Sequence, residues 1–118
     1  MSKTRIGVIG CGMIGIGAIV RAALRGAKVI AVDLDDEKLE LAKKVGAAYV
    51  INSKTENVHE RMLEITNGFG ADAVIEAVGS PVTYIMAVDE VGFTGRVVCI
   101  GYAKSEVPFQ TKYFVQKE

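Results

Sequence analysis

Three glycines near the start of the chain have the spacing of a phosphate-binding turn. Gly10, Gly12 and Gly15 follow a short apolar run and precede an apolar stretch with helical periodicity. The first glycine of such a turn permits a tight reversal, the second leaves room for a pyrophosphate, and the third lets helix and strand pack closely. The N–H groups of Met13 and Ile14 would point at the anion, where the helix start adds about half a positive charge. The spacing therefore predicts a phosphate cradle.

Because 13 of the 118 residues are glycine, this spacing is a weak signal by itself. A second signal is the run Lys28–Asp33, which is apolar and ends in an acid. Such a run is typical of a buried strand whose last residue emerges at the carboxyl edge of a parallel sheet. A carboxylate there can accept both hydroxyl hydrogens of an adenosine ribose, and it would repel a 2′-phosphate. Leu34 follows where NADP users commonly have a polar or basic residue, so we predict NAD, with NADP less favoured. Lys38 could reach the same ribose or the adenine.

The remaining apolar runs alternate between strand and helix patterns. We predict strands over residues 6–10, 28–33, 49–51, 73–78 and 96–101, with a helix between each strand and the next. This alternation indicates an α/β fold of the Rossmann type, a doubly wound parallel sheet in the order 3-2-1-4-5 with helices on both faces. Its crevice lies at the carboxyl ends of the strands. We expect residues 1–118 to form this one domain, with the sixth strand of a six-stranded version missing.

Composition excludes several classes of protein. Fourteen basic residues balance fourteen acidic ones, so no net field would attract nucleic acid. The longest uncharged run has 15 residues and includes five glycines, whereas a membrane-spanning helix needs about 20 mostly apolar residues. We therefore predict neither nucleic-acid binding nor membrane insertion. No leader-like pattern is present, and we expect a cytoplasmic location.

Few other side chains suggest chemistry. We expect Cys11 to fill a small apolar space in the turn, Cys99 to lie in the core, and His59 to be solvated. Cys11, Cys99 and His59 belong to three different elements and have no ligand spacing, so no metal site is predicted. Glu76 lies inside a predicted strand, where polar neighbours would satisfy it.

Several stretches of the chain together match one known pattern. They are residues 8–15, 32–35 with Lys38, 41–47, 70–79 and 95–101. In these stretches the sequence resembles the coenzyme domain of the zinc-dependent medium-chain alcohol, sorbitol and threonine dehydrogenases. The resemblance spans almost the whole chain and is much more specific than the glycine spacing.

The resemblance implies a set of NAD-binding residues at the carboxyl ends of strands one, two, four and five. It assigns Gly10, Gly12, Met13 and Ile14, with Gly15 beneath them, to the pyrophosphate. It assigns Asp33 and Lys38 to the adenosine ribose, and Val78 and Gly79 to the middle of the cofactor. Ile100, Gly101 and Tyr102 would approach the nicotinamide.

Enzymes of that family also carry a separate, largely N-terminal catalytic domain that supplies the ligands of a catalytic zinc. Nothing in this sequence matches that domain, so zinc is expected only there. We therefore predict an isolated or excised NAD(H)-binding domain of an alcohol or polyol dehydrogenase, an oxidoreductase domain that is inactive alone. Without a sixth strand, the edge of strand five would be unpaired and could form a homodimer.

Two other functions fit the glycine turn and the acid of strand two. One is a regulatory NAD-sensing module of a transport or channel protein, and the other is an S-adenosylmethionine-dependent methyltransferase. Residues 70–79 and 95–101 favour the dehydrogenase over the sensing module.

Overall fold

Strands and helices alternate in the computed structural model, which describes residues 4–100 apart from the side chains of residues 93 and 94. The elements are β1 (Arg5–Ile9), α1 (Met13–Leu24), β2 (Lys28–Asp33), α2 (Asp36–Lys44), β3 (Tyr49–Asn52), α3 (Val58–Ile65), β4 (Ala71–Glu76), α4 (Pro81–Glu90) and β5 (Val91–Cys99). The five described strands are parallel and lie in the order β3-β2-β1-β4-β5. This order confirms the predicted doubly wound Rossmann sheet. The expectation of a missing sixth strand falls outside the described residues.

Two apolar clusters cover the two faces of the sheet. Successive strand residues point to opposite faces, and Val8 and Ile9 of β1 belong to different clusters. One cluster joins the sheet to α1 and α2 through Ile19 and Leu39, and the other joins it to α3 and α4 and includes Met62. Burying each such aliphatic side chain contributes about 1.5–3 kcal/mol. Because helices cover both faces of the sheet, we expect a binding site among the loops at the strand ends.

Strand β4 lies two residues earlier than the predicted 73–78. Its last residue, Glu76, accepts hydrogen bonds from the backbone N–H groups of Val78 and Gly79 at 2.6 and 2.7 Å. Because those two N–H groups bond a side chain, they are unavailable to extend the ladder. The strand therefore ends at Glu76 although Val78 is a favourable strand residue.

Strand β5 begins at Val91, five residues before the predicted start. Local propensity disfavours glycine in a strand, but here two glycines allow close approach to β4. A Cβ on Gly92 would lie 2.5 Å from the Phe69 carbonyl oxygen, and one on Gly95 would lie 2.9 Å from that of Ala71. The β4–β5 ladder also shifts register at this point. The strand depends on backbone contacts that sequence patterns do not show.

The carboxyl end of β5 is exposed. Val98 and Ile100 are 46% and 40% exposed, and Cys99 between them is exposed too. The expectation that Cys99 lies in the core was wrong, because β5 has one strand neighbour in the described sheet and this end of it faces solvent. Within residues 4–100, no helix is long and apolar enough to cross a membrane.

Candidate functional site

A cleft of about 480 Å³ opens at the carboxyl ends of β1, β2 and β4. Residues from the turns after the strands, from α2 and from α4 line it; they are Ile9, Gly10, Gly12, Val32, Asp33, Leu34, Lys38, Ser53, Ala77, Val78, Ser80, Val82, Thr83 and Met86. Of the residues predicted from the sequence, Gly10, Gly12, Asp33, Lys38 and Val78 line this one cleft.

The three glycines of the turn meet three different steric demands. Gly10 has a φ of +98°, and a Cβ there would lie 2.6 Å from a methyl carbon of Val78. A Cβ on Gly15 would lie 1.7 Å from the Gly10 carbonyl oxygen, so helix and strand need glycine to pack this closely. A Cβ on Gly12 would meet no atom within 4 Å, because Gly12 borders the open cleft. The glycine turn thus has the shape expected of a phosphate cradle, with free space above its second glycine.

The start of α1 differs from the starts of the other three described helices. Asp35, Asn57 and Ser80 cap α2, α3 and α4 with side-chain oxygens that accept backbone N–H groups. Gly12 caps α1 without any side-chain hydrogen bond, and the first turn of α1 carries no acid. The first N–H groups of a helix need an acceptor from outside the helix. Those of α1 are therefore available to an anion beside Gly12.

Met13 and Ile14 open α1, and their side chains are exposed. They follow directly on Gly12, which lines the cleft. We predict that these two residues bind phosphate through their backbone N–H groups. Exposed side chains are compatible with that role.

The carboxylate of Asp33 ties the end of β2 to the glycine turn. Its Oδ2 accepts the Cys11 N–H at 2.7 Å, and its Oδ1 accepts those of Leu34 and Asp35 at 2.7 and 3.0 Å. A carboxylate has about four acceptor positions, and Oδ2 carries a single bond from the described residues. Asp33 can therefore hold the turn and still accept a hydroxyl from a ligand in the cleft.

Cys11 is buried in the turn, as predicted, and its Sγ lies 3.8 Å from the Val32 carbonyl oxygen. Burial, and then the charge of Asp33, raises the pKa of Cys11 to about 12, against a smaller opposing effect of Lys38. The thiol is therefore protonated at neutral pH, which leaves it unsuited to nucleophilic chemistry.

The wall of the cleft on the β4 side is held by a hydrogen-bond network. Ser80 and Thr83 form a capping box at the start of α4, and both line the cleft. The Thr83 hydroxyl also donates to Oε1 of Glu76 at 2.9 Å. Glu76 has the polar neighbours that its position in a strand requires.

Sequence reasoning missed three polar residues of the cleft, namely Ser53, Ser80 and Thr83. Ser53 follows β3, and its N–H donates to the Asp33 carbonyl oxygen at 3.0 Å. The predicted strand order already placed the end of β3 beside the end of β2, and this signal could have identified Ser53. Ser80 and Thr83 have the spacing of a capping box, which indicates a helix start but not a cleft.

Other predicted site residues lie beside the cleft or outside the described chain. Gly79, with a φ of +82°, lies in the turn that Glu76 holds. Ile100 follows β5, and its N–H donates to the Glu76 carbonyl oxygen at 2.8 Å. Gly101 and Tyr102 fall outside residues 4–100.

The described residues do not fit a zinc centre. No group of three or more His, Cys, Asp and Glu side chains within residues 4–100 could hold a metal ion. His59 is mostly exposed, as predicted, and its Nδ1 lies 3.2 Å from Oε1 of Glu90.

Comparison with known proteins supplies the family. Residues 14–118 match the family described as zinc-binding dehydrogenase. The chain belongs to the zinc-binding dehydrogenase family. This dehydrogenase family binds a nucleotide cofactor.

Relatives of this zinc-binding dehydrogenase domain are similar along nearly its whole length. An uncharacterized zinc-type alcohol dehydrogenase-like protein from Haemophilus influenzae is 35% identical over 117 residues, which is 99% of this chain and 34% of that protein. L-threonine 3-dehydrogenase from Caldanaerobacter subterraneus is 38% identical over 104 residues, or 87% of this chain and 30% of that protein. The chain spans about a third of the length of the curated relatives it matches.

A solved structure shows the same architecture. The alcohol dehydrogenase TADH from Thermus sp. ATN1 has a TM-score of 0.87 and 37% identity to this chain, with 96% of this chain and 33% of that chain covered.

Proposed function

We propose that this chain is the NAD(H)-binding domain of a zinc-dependent alcohol or polyol dehydrogenase, and that it is not catalytic by itself. The observation that carries the proposal is the meeting of the glycine turn, the uncapped start of α1 and Asp33 in one cleft. The glycine turn and the start of α1 offer backbone N–H groups to a pyrophosphate, and Asp33 offers a carboxylate to a ribose. NAD is preferred over NADP because Asp33 would repel a 2′-phosphate and Leu34 offers no positive charge.

The residues of the chain bind and orient the cofactor. Gly10, Gly12, Met13 and Ile14 hold the pyrophosphate above Gly15, while Asp33 and Lys38 hold the adenosine ribose. The turn after β4, with Val78 and Gly79, contacts the middle of the cofactor, and residues 100–102 after β5 approach the nicotinamide. Bound NAD supplies a hydride acceptor at its nicotinamide ring.

The proposed inactivity of the chain alone rests on the side chains that it offers to a catalytic zinc ion. A catalytic zinc needs about three protein ligands, and within residues 4–100 no group of three or more His, Cys, Asp and Glu side chains could hold a metal ion. A purified chain that formed NADH from NAD and an alcohol or polyol in steady state would refute this part of the proposal.

The regulatory NAD-sensing alternative gains no support from the related proteins reported above, whose names are those of dehydrogenases. The cytoplasmic location remains a prediction. We further propose that the exposed carboxyl end of β5 allows the chain to form a homodimer.

Calorimetric titration of the purified chain tests the cofactor assignment. We expect NADH to bind more tightly than NADPH, and S-adenosylmethionine not to bind. Gly12→Ala should weaken NADH binding by about tenfold, because its methyl group would occupy the space predicted for the pyrophosphate. Gly17→Ala is the matched control, since its Cβ also meets no atom within 4 Å but the residue lies inside α1. Equal effects of the two variants, or preferential binding of S-adenosylmethionine, would contradict the proposal.

A further inference from the structure

Glu76 is a fully buried acidic side chain at the carboxyl end of β4. Its Oε1 accepts three hydrogen bonds, from the N–H groups of Val78 and Gly79 at 2.6 and 2.7 Å and from the Thr83 hydroxyl at 2.9 Å. Short hydrogen bonds to a carboxylate oxygen are among the stronger hydrogen bonds in proteins. One oxygen atom therefore fixes the turn after β4 and the first turn of α4.

The second oxygen of Glu76 has no such role. Oε2 is buried and has no hydrogen-bond partner within the described part of the chain. A buried polar atom without a partner is unfavourable for folding, and such atoms in native proteins often accompany a functional constraint. Within the described residues, the hydrogen bonds of the Glu76 side chain therefore all go to Oε1, the atom that holds the turn.

The network around Oε1 extends to the surface of the cleft. The Ser80 and Thr83 hydroxyl oxygens are 2.8 Å apart, and both residues line the cleft. Val78, whose N–H is held by Glu76, lines it as well. Glu76 therefore determines the shape of the β4 wall without itself lining the cleft.

The cleft has a second wall that Glu76 does not touch. Asp33, Leu34, Lys38 and Ser53 line the side formed by β2 and β3, and the glycine turn of β1 separates the two sides. If the adenosine ribose lies at Asp33 and the pyrophosphate at the glycine turn, the other half of the dinucleotide lies along the β4 wall.

We propose that Glu76 is a positioning residue for the nicotinamide half of the cofactor, acting through the backbone of Val78 and Gly79 and the hydroxyl of Thr83. This inference rests on the proposed function. Loss of the Oε1 acceptor releases three donors and lets the β4 wall move, while the adenosine side of the cleft keeps its shape.

The test compares a whole dinucleotide with its adenosine half. NADH and AMP are titrated into the full 118-residue chain and into Glu76→Ala, Glu76→Leu and Glu76→Gln, after thermal unfolding has shown which variants fold. Leucine fills the buried space without an acceptor, so it serves if alanine prevents folding. Glutamine keeps an acceptor oxygen for the three donors.

We expect the alanine or leucine variant to bind NADH roughly tenfold more weakly and AMP within about twofold of the original chain. Glutamine should restore NADH binding to within about threefold. Equal losses of NADH and AMP binding, or a glutamine variant as weak as the leucine variant, would overturn the inference. If the original chain binds neither ligand, the proposed function itself fails.

Thr66→Val is the matched structural control. Thr66 is fully buried, and its hydroxyl bonds the Met62 carbonyl oxygen and the Gly70 N–H. It lies beside Arg5 at the opposite end of the strands, away from the cleft. This variant should lower the unfolding temperature and leave the ratio of NADH to AMP affinity unchanged. A changed ratio would mean that general destabilisation, and not the β4 wall, controls dinucleotide binding.

Discussion

At the scale of single residues, Asp33 combines a structural role with its proposed binding role. Its position at the end of an apolar run predicts that it emerges at the carboxyl edge of the sheet. Its Oδ2 accepts a hydrogen bond from the Cys11 N–H, which joins two segments 22 residues apart, and no local pattern indicates this bond. The carboxylate that would bind the ribose is therefore held in place by the turn that would bind the pyrophosphate.

The nucleotide preference can be tested at this residue. Asp33→Gly combined with Leu34→Arg should raise the ratio of NADPH to NADH affinity by at least about tenfold, because a repulsive charge is removed and a phosphate partner is added. The Cys11 N–H would lose its acceptor, so we also expect about 1 kcal/mol lower stability. Calorimetric titration measures the affinities, and urea unfolding measures the stability.

Asp35→Asn provides the control for that double variant. It removes a carboxylate two residues away, and its side-chain oxygen still caps α2. The nucleotide preference should not change in this control. An unchanged preference in the double variant would count against Asp33 as the selectivity residue.

At the scale of elements, the β1–α1 unit depends on contact between Gly15 and the Gly10 carbonyl oxygen. Gly15→Ala would place a carbon 1.7 Å from that oxygen, so α1 must move away from the turn. We expect a loss of about 1–3 kcal/mol in the free energy of unfolding, as in other overpacked cores, and a weakened cofactor site. Urea unfolding and NADH titration measure the two effects.

The same helix contains a comparison site. Gly17→Ala meets no atom within 4 Å, and alanine is the better helix former by about 1 kcal/mol. This variant should be as stable as the original chain or more stable. If both glycines tolerated alanine equally, close packing of α1 on the turn would not explain Gly15.

At the scale of the whole molecule, the exposed end of β5 bears on assembly. If two copies pair through this strand, light scattering over a concentration series should show an apparent mass rising from 12.6 kDa toward twice that value. Val98→Lys should shift the population to the monomer, because β5 lies at the edge of the described sheet and a charged side chain on an edge strand opposes pairing.

Ile85→Lys tests the main alternative surface for assembly. Ile85 is an exposed apolar residue of α4 and does not belong to the strand. Its substitution should leave the apparent mass unchanged. A monomer produced by Ile85→Lys but not by Val98→Lys would move the interface from the strand to the helix.

The sequence by itself determined the alternation of elements, the strand order and the relation between the glycine turn and Asp33. Apolar periodicity and glycine spacing are local properties, and parallel βαβ units allow few arrangements. For this reason the sequence alone places Gly10, Gly12, Asp33 and Lys38 at one crevice.

Only the tertiary structure decided where β4 ends and β5 begins, that Cys99 is exposed, and that Ser80 and Thr83 line the cleft. Each of these depends on groups that meet in space. The Glu76 side chain takes two backbone N–H groups and ends β4, and the Phe69 carbonyl oxygen leaves no room for a side chain at Gly92. Sequence periodicity records which face a residue occupies, whereas these contacts depend on how neighbouring backbones approach one another.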